Sequence, residues 1–171
     1  MCAAKIVGGT KLDAALARYL DGETKTMRAG LLEGATVPGK KAGGPRVHAA
    51  LVGFWNEYGT SRTTESGSTE HVPPRPFMRT TSISKSARWA QVVGAMLQRN
   101  GGNFEAALRA AGEAAVADIQ KTIGDWTSPP NAPSTIAKKG FDGPLRGSAA
   151  APMQHAVAYD IVDGPVTDES A

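Results

Sequence analysis

The chain has 171 residues, a formal net charge of +3 and a sequence pI of about 9.1. A chain of this length can bury a core large enough to fold without a disulfide or a metal, and its single cysteine, Cys2, has no disulfide partner. The charge is only mildly basic and lacks the dense lysine and arginine stripe of a dedicated nucleic-acid binder. No apolar run of about 18 residues and no secretion signal are evident, so we expect no membrane interaction and synthesis in a reducing cytoplasm.

The first part of the chain alternates between helical and extended patterns. Apolar residues at helical spacing predict a short helix at 12–20, and alternation of apolar and polar residues predicts a strand at 27–32. A loop rich in glycine is predicted at 34–45, followed by a helix of two to three turns at 48–58. The polar stretch 60–74 has no apolar face and is predicted to be a loop.

Two long helices are predicted next. From Phe77 onward, apolar side chains recur at positions i, i+3, i+4 and i+7, and the pattern stops at Asn100-Gly101-Gly102. Asn103 is predicted to cap a second helix, because its side chain can accept a hydrogen bond from the first turn. The apolar face of that helix includes Leu108 and Ile119 and contains many alanines, which would let it lie close against a sheet.

The remaining elements are a long segment rich in proline and glycine at 127–152 and a closing strand at 155–163. Within the long segment, Ser134 is predicted to cap a brief helix that Gly140 ends.

Together these patterns predict an α+β fold, with a small antiparallel sheet packed by two principal helices and with long interaction loops. We expect a single domain over 1–171, with loop excursions at 60–74 and 127–152.

The sequence offers little for catalysis. The histidines His48, His71 and His155 fit no metalloprotease, nucleophile-elbow or phosphate-loop motif. Glu65, Glu70 and His71 could hold a metal in principle, but no fourth ligand stands at a diagnostic spacing, so a solvated loop is the favoured interpretation. We therefore predict no catalytic residue, no cofactor and no metal, and expect that the protein is not an enzyme.

One carboxylate, Glu57, lies near the end of a predicted helix, where the helix dipole is unfavourable for an anion. A solvated glutamate is one interpretation. The other is a structural ion pair with Arg75 or Arg79, because a buried carboxylate needs a partner. Both arginines belong to Pro74-Arg75-Pro76-Phe77-Met78-Arg79, whose prolines make the approach to the next helix extended and rigid.

The segment from Trp126 onward combines stiff, proline-rich stretches with large apolar side chains. If those side chains were exposed together, they would form an apolar patch of the kind that marks an interface. A rigid extended segment can also bind across a neighbour at a low ordering cost. The predicted subunit-interface residues are Trp126, Pro129, Pro130, Asn131, Pro133, Ile136, Phe141 and Leu145.

Three motifs carry a resemblance to a known family. They are Asn56-Glu57-Tyr58-Gly59-Thr60, then Pro74-Arg75-Pro76-Phe77-Met78-Arg79, then Pro129-Pro130-Asn131-Ala132-Pro133-Ser134-Thr135-Ile136 with Lys139-Gly140-Phe141 and Pro144-Leu145. In order and approximate spacing, over residues 24–162, the chain resembles the virion morphogenesis proteins of tailed bacteriophages, also called neck, minor tail or tail-completion proteins. It departs from that family at 146–152, where the family usually has an Asp-Thr-Gly turn.

The resemblance implies a small α+β subunit that forms a ring, sixfold in copy number, at the junction of head and tail. DNA would pass through the lumen without sequence-specific binding. The implied partners are further copies of the chain and the other neck, connector and tail-tube proteins. The implied location is the virion, after assembly in the host cytoplasm.

Two other functions remain open from the residues themselves. A nucleic-acid-binding accessory protein of phage assembly is favoured by the pI and by basic side chains that could contact phosphates. Those side chains are Lys40, Lys41, Arg46, Lys138 and Lys139. A hydrolytic virion component that attacks the cell wall would need paired carboxylates or a metal set in a cleft, and the sequence offers no convincing pair.

Overall fold

The structure, a computed structural model, describes residues 25–39, 43–63, 67–147 and 152–164. The fold is α+β, as predicted, with two long helices and small antiparallel sheets. The strands are β1 Lys25–Gly30, β2 Thr36–Val37, β3 Val47–His48, β4 Thr60–Thr63, β5 Thr69–Val72 and β6 Ala158–Asp163. The helices are α1 Ala49–Tyr58, α2 Phe77–Arg99, α3 Phe104–Asp125, α4 Pro133–Lys139 and α5 Pro152–His155.

The described residues divide into two compact units. The first comprises 25–28, 87–114 and 160–164, and the second comprises the described residues of 29–86 and 115–159. The assignment of 1–171 to a single domain stays a prediction.

The core of the second unit forms around the last turns of α3. Ile119 and Ile123, one turn apart, are buried against Phe77, the first residue of α2, and against Leu145. Met153, the buried residue of α5, completes this side of the cluster. Burial of each such side chain stabilises the fold by about 1.5–3 kcal/mol, so α2 is held firmly at its first residue.

The first unit contains the helix start that was predicted at Asn103. Its Oδ1 accepts a hydrogen bond from the N–H of Ala106 at 3.0 Å, which is the expected N-cap geometry. Arg28 donates from Nε and Nη2 to the two carboxylate oxygens of Asp160, at 3.1 and 2.6 Å, and these bonds lower the pKa of Asp160. Strands β1 and β6, which carry these two residues, form a two-stranded sheet, so the strands predicted at 27–32 and 155–163 pair with each other.

The predicted loop at 60–74 is a β-hairpin, and that part of the prediction is wrong. Strands β4 and β5 pair antiparallel with Thr63 opposite Thr69 and Arg62 opposite Glu70. Arg62 Nε donates to Glu70 Oε2 at 2.7 Å. Charge pairs and threonine pairs across the two strands stabilise this hairpin, which has no buried face. Its strands therefore lack the alternation of apolar and polar residues from which a strand is predicted.

Other boundaries also need correction. The predicted loop 34–45 contains β2, which pairs antiparallel with β3. The predicted strand at 155–163 begins only at Ala158, because α5 precedes it. Helix α4 begins with Pro133 at its first turn after Ala132, so the N-cap is not Ser134. The helix predicted at 12–20 lies outside the described residues.

Candidate functional site

The start of α2 is capped by a carboxylate from another helix. Glu57, in the last turn of α1, accepts the backbone N–H of Met78 at 3.0 Å and that of Arg79 at 3.1 Å. Only 9% of Glu57 is exposed. The first turn of α2 contains no acidic residue of its own, so Glu57 supplies the anion that the positive end of the helix dipole favours.

The ion pair predicted for this carboxylate involves Arg79 and not Arg75. Arg79 Nε lies 3.9 Å from Glu57 Oε1, and its side chain is 57% exposed. A long contact with a solvated arginine is a weak interaction, worth about 0–1 kcal/mol. The two backbone hydrogen bonds, and not the arginine, therefore account for most of the stabilisation of buried Glu57.

Arg75 binds the backbone of the long proline-rich segment instead. Its Nε donates to the carbonyl oxygen of Pro129 at 3.1 Å, and its Nη2 donates to that of Pro130 at 3.2 Å. The residue is 5% exposed, and burial lowers the pKa of its guanidinium, an effect that the Asp142 carboxylate opposes. The backbone N–H of Arg75 also donates to the carbonyl oxygen of Asn56 at 2.6 Å.

Gly59 allows the hairpin to return close to α1. Its φ of +75° lies in the left-handed region, where side chains are disfavoured. A Cβ at this position would lie 2.7 Å from the carbonyl oxygen of Val72 and 2.9 Å from the nitrogen of Pro74. Both are backbone atoms that cannot move aside cheaply, so only glycine fits here.

These contacts join the three motifs that carry the family resemblance. Glu57 of the first caps the helix that begins in the second, and Arg75 of the second holds Pro129 and Pro130 of the third. We call this set of contacts the motif junction. The carboxylate of Glu57 and the guanidinium of Arg75 both bind backbone groups. The junction therefore fixes the path of the chain, and these two groups are not directed towards a substrate as an acid and a base.

The predicted interface residues are only partly exposed. Leu145, 4% exposed, belongs to the hydrophobic core, and Trp126 packs against that core. Trp126, Ile136, Phe141 and Leu145 are therefore not exposed together, and the assignment of the subunit-interface residues stays a prediction. The predicted interface residues that are exposed are Pro130 and Pro133, while Pro129, Asn131, Ile136 and Phe141 are half-buried.

The largest exposed apolar side chains lie mainly on α1, a helix that was not predicted to contribute an interface. Leu51, Phe54, Trp55 and Tyr58 occupy one helix face at spacing i, i+3, i+4 and i+7, and we call this set the α1 apolar face. Phe54 and Tyr58 are 58% and 59% exposed, and their ring centroids are 4.8 Å apart. The 3.6-residue periodicity was visible in the sequence, but periodicity alone does not tell a core face from an exposed one.

Two cationic side chains lie close to the ring of Phe141. Lys139 Nζ lies 4.9 Å from the ring centroid, and the guanidinium carbon of Arg146 lies 5.1 Å from it. We call Arg75, Lys139 and Arg146 the cationic cluster, because the positive charges of Arg75 and Arg146 both act on Lys139. Burial is the largest cause of the lowered pKa of Lys139, and Asp142 acts in the opposite direction.

The other candidates from the sequence show simpler contacts. In the hairpin, Glu70 bonds to Arg62, and His71 Nδ1 lies 2.9 Å from Ser61 Oγ. Across the described ranges, no group of three or more histidine, cysteine, aspartate and glutamate side chains could hold a metal ion. The described helices also include none that is long and apolar enough to cross a membrane.

Comparisons with models of known protein families, with curated proteins and with solved structures found no match to this chain.

Proposed function

We propose that the chain is a structural subunit of the head–tail junction of a long-tailed bacteriophage, in a ring that joins tail to head around the DNA exit channel. The observation that carries the proposal is the motif junction. The motifs that resemble the phage family are far apart in the sequence, yet they meet through the side chains of Glu57 and Arg75. Residues that share one structural task are expected to recur together in a family that shares the fold.

The chemistry of the junction favours a structural role over an enzymatic one. A catalytic carboxylate needs access to a substrate proton or a reacting atom. Glu57 is buried and directs both of its oxygens to backbone N–H groups at the start of α2. Arg75 likewise directs its donors to two backbone carbonyl oxygens.

The α1 apolar face supports self-association, and a second copy of the chain is the occupant that we propose for it. Three aromatic side chains of about 150–250 Å² each, roughly half exposed, present about 300 Å² of apolar surface. A stable pairwise interface buries about 800 Å² on each partner, so this face alone would give a weak dimer. In a closed ring each subunit makes the repeated contact with two neighbours, so the ring is more stable than a dimer held by one such contact. The sixfold count comes from the resemblance alone.

The test is the oligomeric state of the purified chain, measured by size-exclusion chromatography with light scattering over a range of concentrations. We expect ring-sized assemblies, which Phe54→Asp abolishes while circular dichroism shows that the subunit is still folded. Ile83→Asp is the matched control, because Ile83 is 77% exposed and lies on α2 outside the α1 apolar face. A chain that stays monomeric at every concentration, alone and with tail-tube protein, would contradict the proposed ring.

A nucleic-acid-binding accessory protein is the second candidate, and it depends on the basic side chains Lys40, Lys41, Arg46, Lys138 and Lys139. Arg46, one of the basic residues on which that hypothesis depends, donates from Nε and Nη2 to Thr36 and is thus partly engaged. Binding of linear DNA by the isolated subunit, with an affinity that falls steeply as salt rises, would favour this function over the ring.

A further inference from the structure

Among the described residues, the cationic cluster brings together more cations than carboxylates. Within the described residues, Asp142 is the carboxylate that acts on Lys139, and the charges of Arg75 and Arg146 act on Lys139 in the opposite direction. Asp142 is itself engaged, since its Oδ1 accepts hydrogen bonds from the backbone N–H and the side-chain amide of Asn131, at 3.4 and 3.2 Å. In the described part of the chain, a partly desolvated Lys139 is therefore acted on by two further cations and one carboxylate, an arrangement that a further anion would stabilise.

Hydrogen-bond donors in the cluster are also unused. Arg146 is half-buried, and its Nε is buried without a hydrogen-bond partner among the described residues. The Arg146 guanidinium lies over the ring of Phe141, a cation–π contact that favours this position of the side chain. Lys139 Nζ donates one bond, to the carbonyl oxygen of Gly143 at 2.8 Å, and an ammonium has three donors.

We propose that Arg146 and Lys139 form a binding site for a carboxylate side chain presented by a second protein chain. The planar fork of an arginine matches the two oxygens of a carboxylate, and a neighbouring ammonium adds a further charge-assisted hydrogen bond. Arg75, too buried to touch the ligand, contributes its charge and holds the segment through Pro129 and Pro130. The proposal rests on this cluster alone and does not require the proposed function.

A protein carboxylate fits the site better than the phosphates of DNA. Duplex DNA presents one phosphate per about 1.7 Å of its axis, and proteins that bind it use a row of roughly six to ten cations. The cluster offers two cations with unused donors, both beside one aromatic ring. It is therefore matched to a single oxyanion group and not to a polyanionic backbone.

The test measures binding of a fluorescent hexaglutamate peptide and of a short DNA duplex, by anisotropy at low salt, to the full-length protein. Arg146→Gln removes the charge and keeps a stem that can cover Phe141, and Arg146→Ala serves as the second variant. Lys138→Ala is the control, because Lys138 is exposed and adjacent to the site residue Lys139. Circular dichroism checks that every variant is folded.

We expect both Arg146 variants to bind the peptide about tenfold more weakly, and Lys138→Ala to change the affinity less than twofold. No detectable peptide binding, or binding that is equally weakened by Lys138→Ala, would overturn the proposal. Tighter binding of the duplex than of the peptide, lost in the Arg146 variants, would also overturn it and assign the site to phosphate.

Discussion

Removal of the Glu57 charge is the sharpest test of how α2 is held. Glu57→Gln keeps the shape of the side chain and leaves one acceptor oxygen for two backbone N–H groups, those of Met78 and Arg79. A hydrogen bond to a buried charged group is worth about 1.5–3 kcal/mol, so we expect Glu57→Gln to lower the free energy of unfolding by that amount. Arg79→Ala should cost less than about 1 kcal/mol, because the arginine is exposed and 3.9 Å away.

Urea denaturation measures this difference. With an m-value of about 2 kcal/mol/M, Glu57→Gln should move the midpoint by about 1 M and Arg79→Ala by less than half of that. Glu113→Gln, an exposed glutamate on α3, is the matched control and should change stability by less than about 0.5 kcal/mol. Equal losses for the Glu57 and Arg79 variants would show that the ion pair, and not the helix cap, stabilises this region.

Three further predictions concern the motif junction and the segment that it holds. Arg75→Lys should destabilise the fold by about 1–3 kcal/mol and speed trypsin cleavage at Lys138, because one ammonium cannot reproduce the fork to two carbonyl oxygens. Gly59→Ala should cost more than Gly34→Ala, measured by thermal unfolding, since both glycines have positive φ but only Gly59 meets backbone within 3 Å. Pro133→Ser should leave stability within about 0.5 kcal/mol and reduce virion completion in a phage complementation assay, since Pro133 is exposed.

The long helices could be predicted from the sequence because their signals are local. The i, i+3, i+4 spacing after Phe77, the Gly101-Gly102 stop and the Asn103 cap all act within one or two turns of chain. The β4–β5 hairpin could not be predicted in the same way. Its stability depends on pairs across the two strands, such as Arg62 with Glu70, and its strands bury no apolar side.

The candidate site was predicted in part. Burial of Glu57 and its proximity to Arg79 followed from the rule that a carboxylate among apolar residues needs partners. The identity of those partners could not be predicted. They are backbone N–H groups at the start of a helix, and every residue except proline has such a group, so the residue types do not distinguish them. The same limit applies to Arg75, whose acceptors are the carbonyl oxygens of two prolines more than fifty residues away.

The contacts of Arg75 also change how the segment 127–147 must be tested for a role in assembly. A deletion of 128–142 would remove both carbonyl acceptors and leave a buried guanidinium without partners, which is strongly destabilising. It would also free the chain next to Leu145, a core residue. Failure of such a deletion to complete virions would therefore report on folding as much as on an interface. Point substitutions at exposed positions, such as Pro133, separate the two effects because they leave the backbone acceptors in place.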